Sequence, residues 1–172
     1  MPTALRGSRP IGRSVRSLAL GAISGVLLGS GALAQESAPT ATTACPLPAN
    51  VAVTFLESKC TRVVLKEPTT FYRYFSSDSN RYGRYLTTDR LTVNTEVIRS
   101  LALNQEWGNK ATRSLSVTVP AGTAVYQGVV APQTPSSCYP GGGQQTFIEN
   151  SKDPQITWVE GPPLTVQPFS CP

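Results

Sequence analysis

Short runs of β-branched and aromatic residues recur along this sequence, and they limit its fold more than any other feature. They are separated by Pro, Gly, Asn and Ser, as the strands of small domains are. The runs are VAVTFL (51–56), RVVLK (62–66), TFYRYF (70–75), GRYLTT (83–88), LSVTV (115–119), TAVYQGVV (123–130), QQTFI (144–148) and ITWVEG (156–161). The residues between LSVTV and TAVYQGVV predict a turn that joins two strands.

One segment, NTEVIRSLALN (94–104), has helical spacing instead. Val97, Ile98 and Leu101 form its apolar face, Asn94 is suited to cap its start, and Asn104 is suited to end it. Many short strands with one clear helix predict a small, strand-rich α+β domain.

The first 34 residues have the pattern of a secretory signal peptide. Four arginines precede a short apolar run, and Ala32-Leu33-Ala34 supplies a cleavage site. Residues 35–50 are rich in Ala, Thr, Pro and Ser and predict a flexible linker, so residues 51–172 are expected to form a single domain. We therefore expect a secreted or periplasmic protein that has no membrane segment after cleavage.

Signal cleavage also changes the interpretation of the charge. The chain has fifteen Lys and Arg against ten Asp and Glu, and four of the basic residues precede the cleavage site. The eleven that remain nearly balance the ten acidic residues. The sequence therefore does not indicate a nucleic-acid partner.

Four cysteines, Cys45, Cys60, Cys138 and Cys171, follow the cleavage site. Their spacing does not match a zinc site, and no metal is expected. Two disulfides are the expected use in an oxidising compartment. Of the three possible pairings we favour Cys45 with Cys60 and Cys138 with Cys171, because each closes a modest loop and ties down one end of the domain.

Histidine is absent from the whole chain. This excludes Ser-His-Asp and Cys-His nucleophiles and nearly all catalytic zinc sites. An enzyme of this composition would have to use Arg, Tyr, Gln, Glu and backbone amides. Reactions through an oxocarbenium-like state fit that restriction, because they need positioning and charge stabilisation more than a proton shuttle.

Arg73 lies in the middle of the predicted strand TFYRYF. If Tyr72 and Tyr74 point to one face, Arg73 shares the other with Phe71 and Phe75. A guanidinium in apolar surroundings requires an anionic partner. A buried carboxylate and a ligand phosphate both satisfy that need.

A second candidate element is the segment PGGGQQTFI, 140–148. Three successive glycines permit positive φ or a close approach to a ligand, although such runs are often simple loops. They place Gln144 and Gln145 at the start of a strand, where an amide can hold a sugar hydroxyl. Trp107 and Trp158 are expected to serve in core or edge packing, with stacking platforms for a ligand as the alternative.

Four segments occur in the order and at about the spacing of motifs in a known family. These are FYRYF with GRYLTT, IRSLALN, VTVPAGTAVYQGVVAPQ and PGGGQQTFI. The chain resembles secreted NAD glycohydrolases similar to the tuberculosis necrotizing toxin, and related polymorphic-toxin domains with an ADP-ribosyltransferase-like core. The resemblance spans roughly residues 69–164.

The resemblance implies a role for each matching residue. Arg73 would bind the pyrophosphate of NAD, although Arg81 competes for the same alignment. Tyr85 and Thr87 would shape the nicotinamide pocket, and Arg99 matches a further arginine of the family. Gln145 would be the catalytic glutamine, with Gln144 as the alternative.

The implied activity is hydrolysis of NAD, as substrate and not as cofactor, to nicotinamide and ADP-ribose. A Gln cannot act as a base, which favours hydrolysis over transfer. The implied biological role is that of a toxin or effector with an immunity protein as partner. The alternatives are a non-catalytic binding module on the same fold, an ADP-ribosyltransferase and a ribonuclease toxin.

Overall fold

The computed structural model describes residues 44–171. Its strands are β1 (Thr61–Val64), β2 (Thr69–Phe75), β3 (Tyr85–Leu86), β4 (Arg113–Val119), β5 (Ala124–Val129), β6 (Gln144–Ile148) and β7 (Thr157–Glu160). Its helices are α1 (Ala49–Ala52) and α2 (Asn94–Ser100), and short 3₁₀ turns cover Leu56–Ser58, Asp78–Asn80 and Gln105–Trp107. The predicted α+β class, rich in strands and with α2 as the principal helix, is confirmed.

The described strands form two antiparallel sheets. One has four strands in the order β1-β5-β6-β3, and the other has three in the order β2-β4-β7. Tyr72 and Thr87 exchange two backbone hydrogen bonds of 2.8 and 2.9 Å, which join β2 of the second sheet to the end of β3 in the first. The segments TFYRYF and GRYLTT therefore lie side by side, at the seam between the sheets.

Three apolar clusters hold these elements together. The first joins residues of both sheets, and it contains Phe71, Phe75, Leu86, Leu115, Val117, Val119, Val125 and Ile148. The second packs α2 and the segments after β5 against Tyr72 and Tyr74. The predicted alternation along β2 is thus confirmed, because Phe71 and Phe75 pack in a different cluster from the two tyrosines. Burying each phenylalanine contributes about 1.5–3 kcal/mol to folding.

The predicted strand at 51–56 is wrong, since α1 occupies its first part. Leu47, Val51 and Phe55 are spaced four residues apart, and all three are buried in the third cluster against Tyr126. The packing of these side chains prevails over the β-branched composition that predicted a strand, and Pro48 at the helix start suits a first turn. Leu47, which lies within the segment predicted as a linker (35–50), is therefore part of a buried cluster.

The predicted ends of the main helix are also wrong. Val93 stands at the N-cap position of α2, and the Asn94 side chain instead exchanges hydrogen bonds of 3.0 and 2.7 Å with the backbone of Gln167. The helix ends at Ser100, before Asn104, whose side chain accepts from Glu106 N and caps the next 3₁₀ turn. A tertiary contact to the C-terminal segment has taken over the side chain that would otherwise cap the helix.

The turn at Pro120–Gly122 does not pair the strands beside it. β4 belongs to the three-stranded sheet and β5 to the four-stranded sheet, so the turn carries the chain from one sheet to the other. Backbone bonds between Leu65 and both Gly122 and Thr123 hold it in place.

Both favoured disulfides are present. Cys45 pairs with Cys60 at a Cα–Cα distance of 4.6 Å, and Cys138 pairs with Cys171 at 5.2 Å. Disulfides are typical of oxidising compartments. The proposed signal peptide (1–34) and residues 35–43 of the proposed linker lie outside the described residues. No helix among the described residues is long and apolar enough to cross a membrane.

Candidate functional site

A cavity of about 340 Å³ opens where β2, β3 and β6 meet the segment after α2. This volume is in the range of small-molecule sites. Six residues were predicted to form the NAD site. Five of them line this cavity, namely Arg73, Tyr85, Thr87, Gln144 and Gln145. A second hollow, of about 680 Å³, lies beneath the C-terminal segment and contains none of them.

Arg73 is held by the loop that leads into β3. Its Nη2, Nε and Nη1 donate to the carbonyls of Asn80, Arg81 and Tyr85 at 2.8, 3.3 and 3.1 Å. In the described part of the chain no carboxylate pairs with this guanidinium. Burial lowers the pKa of Arg73, because desolvation penalises the charged form and no anion offsets it. Of the two partners that the sequence left open, the buried carboxylate is therefore not found among residues 44–171.

Gly83 lies directly against this guanidinium. A Cβ at position 83 would come within 2.6 Å of Nη2 and 2.7 Å of Cζ of Arg73. The backbone φ of Gly83 lies outside the left-handed region, so the close approach, and not the backbone conformation, requires glycine here.

We expect Gly83→Ala to lower the free energy of unfolding by about 1–3 kcal/mol, as overpacking does. The new methyl group would push the guanidinium off its three carbonyls. Urea unfolding monitored by circular dichroism measures the change. In an Arg73→Ala background the same substitution should have almost no effect, because the group that it displaces is gone. An equal loss in both backgrounds would contradict the contact.

Arg81, the competing arginine, has a different environment. Its Nη2 pairs with Glu160 at 2.8 Å, and its guanidinium lies 5.7 Å from the centre of the Phe75 ring. It does not line the cavity. The geometry therefore favours Arg73, whose charge is not neutralised by a neighbouring acid of the described chain.

Gln145 is buried, and its amide has a defined orientation. Its Nε2 donates to Thr54 Oγ1 at 2.9 Å, and Thr54 Oγ1 in turn donates to the Val51 carbonyl at 2.7 Å. The nitrogen end of the amide is therefore engaged, while Oε1 accepts no hydrogen bond from residues 44–171. Both Thr54 and Gln145 line the cavity, so an acceptor oxygen is available to a bound molecule.

The glycine run before Gln144 wraps around the end of α2. Gly141 and Gly142 have φ of 69° and 90°, and a Cβ on Gly143 would meet the Ser100 carbonyl at 2.9 Å. The N–H groups of Gly141 and Gly143 donate to the last carbonyls of α2, at Arg99 and Ser100. The run thus has a structural role, because it donates hydrogen bonds to carbonyls at the end of the helix.

Gln144 is fixed through its backbone, since its N–H donates to Asp89 Oδ2 at 2.7 Å. Its side chain is exposed at the cavity. Asp89 also donates its own N–H to Thr87 Oγ1 at 2.9 Å, so this aspartate ties the start of β6 to the end of β3.

The remaining predicted residues divide into two groups. Thr87 is buried, and Tyr85 is half-buried with its ring edge-on to Phe147 at 5.1 Å; both line the cavity. Arg99 does not, because its side chain is exposed and its Nη2 donates to the Ser137 carbonyl at 3.1 Å. The structure thus brings five of the six residues together and leaves Arg99 outside.

Sequence reasoning missed several lining residues, and those with an amide or a hydroxyl group in an aliphatic side chain are Thr54, Asn80, Asn109 and Gln133. Thr54 lies in no sequence motif, and its contact with Gln145 joins segments that are distant along the chain. The packing role predicted for Trp107 is wrong, since its side chain is exposed at the cavity. Trp158 does pack, against the first cluster and edge-on to Tyr82.

Comparison with known proteins supports the fold. The chain is similar to a solved structure described as "Structure of Tne2 in complex with Tni2", with a TM-score of 0.53 and 13% sequence identity. The match covers 63% of this chain and 94% of that chain. At this identity the likeness concerns the fold alone. No protein-family model and no curated protein matches the sequence.

Proposed function

We propose that this protein hydrolyses NAD to nicotinamide and ADP-ribose. The observation that carries the proposal is that two groups line one cavity: the Arg73 guanidinium, which has no acidic partner among the described residues, and the oriented amide of Gln145. The sequence motifs resemble those of secreted NAD glycohydrolases, and NAD is a substrate that would fit both groups.

Arg73 would bind the pyrophosphate. Three of its five N–H groups are used by backbone carbonyls, which leaves two for phosphate oxygens. The same three bonds fix the plane of the guanidinium, so it presents a preorganised charge. A bound phosphate would also supply the anion that this partly buried cation lacks.

Gln145 would orient the nicotinamide ribose by accepting a hydrogen bond from a ribose hydroxyl at Oε1. The bond between C1′ of the ribose and N1 of nicotinamide breaks, and its electron pair leaves with nicotinamide, which becomes neutral. No general acid is needed for that departure, which suits a chain without histidine. Water then adds to C1′ and releases its proton to solvent.

Tyr85 and Thr87 would form the walls around the nicotinamide ring, as the resemblance implies. The edge-on contact with Phe147 restrains the Tyr85 ring, and the bonds to Asp89 and Tyr72 restrain Thr87. Rigid walls favour a productive orientation of the substrate.

The biological role that we propose is that of an exported toxin or effector. The two disulfides suit an oxidising compartment, and the N-terminal pattern predicts export. Tne2, which shares the fold, was solved with Tni2 bound. An immunity protein is accordingly the partner that we propose for this chain.

The proposal is tested by incubating the oxidised, signal-free protein with NAD and separating the products by chromatography. We expect nicotinamide and ADP-ribose in equal amounts. Radiolabel from adenine-labelled NAD that becomes attached to added proteins would instead indicate ADP-ribosyl transfer. NAD that stays intact while RNA is degraded would support a ribonuclease, and no turnover of either substrate would leave a binding module.

A further inference from the structure

Trp107 is a cavity residue that has no part in the proposed chemistry. It lines the cavity, yet 59% of its surface is exposed. Its ring makes no aromatic or cation–π pair with any described residue, whereas Trp158 packs against Tyr82. An indole left open at a cavity is a stacking surface for a planar ligand.

The turn that carries Trp107 is well anchored. Gln105 Nε2 donates to the carbonyls of Leu103 and Asn109 at 2.8 and 3.0 Å, and Asn104 caps the start of the turn. Gly108 then reverses the chain with a φ of 73°. Because its backbone is held on both sides, the indole is presented to a ligand at a small entropic cost.

Hydrogen bonds connect this turn to the loop that holds Arg73. Ser76 Oγ donates to the Gly108 carbonyl at 3.1 Å, and Ser76 N donates to Asn80 Oδ1 at 3.2 Å. The Asn80 carbonyl accepts from Arg73 Nη2 at 2.8 Å. The turn that carries Trp107 is therefore connected to the loop that holds Arg73, whereas Gln145 lies on β6 and is held by Thr54.

We infer that Trp107 stacks on the purine base of the substrate. The inference rests on the proposed function, because in NAD the pyrophosphate lies between two nucleosides. With nicotinamide riboside toward Gln145 and the pyrophosphate on Arg73, the purine extends past the guanidinium toward Trp107. The residue would thus select dinucleotides over mononucleotides, and it would take no part in bond cleavage.

Trp107→Ala is expected to weaken binding of ADP-ribose about 5- to 100-fold, the range for loss of one base–aromatic stack. Binding of nicotinamide mononucleotide, which has no purine, should be unchanged. In turnover the variant should raise KM for NAD and leave kcat unaltered, because stacking acts equally on the ground and transition states. Trp107→Phe should restore most of the affinity. Calorimetry with the two ligands and steady-state kinetics give these values.

Tryptophan fluorescence supplies a matched control, because the chain has two tryptophans. ADP-ribose should quench the emission of the wild type and of Trp158→Phe, but not that of Trp107→Phe. Unchanged ADP-ribose affinity in Trp107→Ala, equal weakening of both ligands, or no binding of ADP-ribose to the wild type would overturn the inference. ADP-ribose that binds and quenches while NAD stays intact would refute the hydrolase proposal and support the purine site.

Discussion

Arg73→Ala is expected to lower kcat/KM for NAD by about a thousand-fold, the upper range for loss of one preorganised charged donor. The guanidinium would no longer hold the pyrophosphate, so both binding and orientation of the ribose would suffer. Initial rates of nicotinamide release, measured on protein that circular dichroism shows to be folded, test the expectation.

Stability must be separated from activity in this variant. Removing the side chain leaves the carbonyls of Asn80, Arg81 and Tyr85 without their donor, which should lower the free energy of unfolding by a few kcal/mol, at about 1–3 kcal/mol for each group left unsatisfied. Arg73→Lys provides the second measurement, because it keeps the charge and loses the planar fork. It should fold better than the alanine variant and recover only part of the activity.

Two other arginines serve as comparisons. Arg113 is exposed, pairs with Asp78 and Glu160 and lies outside the cavity, so Arg113→Ala should retain the wild-type rate. Arg81→Ala decides between the two alignments of the arginine motif. A large loss of activity in Arg81→Ala with little loss in Arg73→Ala would transfer the pyrophosphate role to Arg81 and contradict the proposed site.

Gln145→Ala is expected to lower kcat about 100- to 1000-fold while KM changes little. The amide would stabilise the ribose in the transition state more than in the ground state, and loss of one such contact has an effect of this size. The side chain packs at the cavity wall and bonds only Thr54 among the described residues, so the fold should persist. Single-turnover nicotinamide release at saturating NAD measures the step directly.

Thr54→Val and Gln144→Ala refine this second prediction. Valine has nearly the shape of threonine but cannot accept from Gln145 Nε2, so the amide would lose its fixed orientation and kcat should fall about tenfold, with KM unaltered. Gln144→Ala keeps the backbone N–H that bonds Asp89 and should reduce kcat far less than Gln145→Ala. If Gln144→Ala gave the larger loss, the alternative assignment of the catalytic glutamine would be correct.

The predictable part of the structure follows from local patterns. TFYRYF became β2 because its alternation matches the strand period and buries Phe71 and Phe75 on one face. The prediction of a strand at 51–56 failed because a short apolar segment fits either the helical or the strand period until it packs against a partner surface. There the third cluster buries Val51 of α1 together with Leu47, which precedes the helix, and Phe55, which follows it.

The candidate site was predictable only in part. Arg73 and Gln145 were predictable because they lie in motifs. The glycine run before Gln144 was a conformational signal as well, since Gly141 and Gly142 have φ of 69° and 90°. Thr54 and Asn80 carried none, because they contribute through contacts with residues that are distant in the sequence or through a backbone carbonyl.

By itself the sequence determined the α+β class and the position of most strands, because alternation and turn residues act over a few neighbouring positions. It favoured one of three cysteine pairings, which the structure then confirmed. The tertiary structure alone decided that Arg73 would form no ion pair in the described chain, that Thr54 would orient Gln145, and that Trp107 would face the cavity. These three properties depend on which segments meet at the seam between the sheets. Burial of the three apolar clusters determines which segments meet there, and each cluster contains residues from distant parts of the domain.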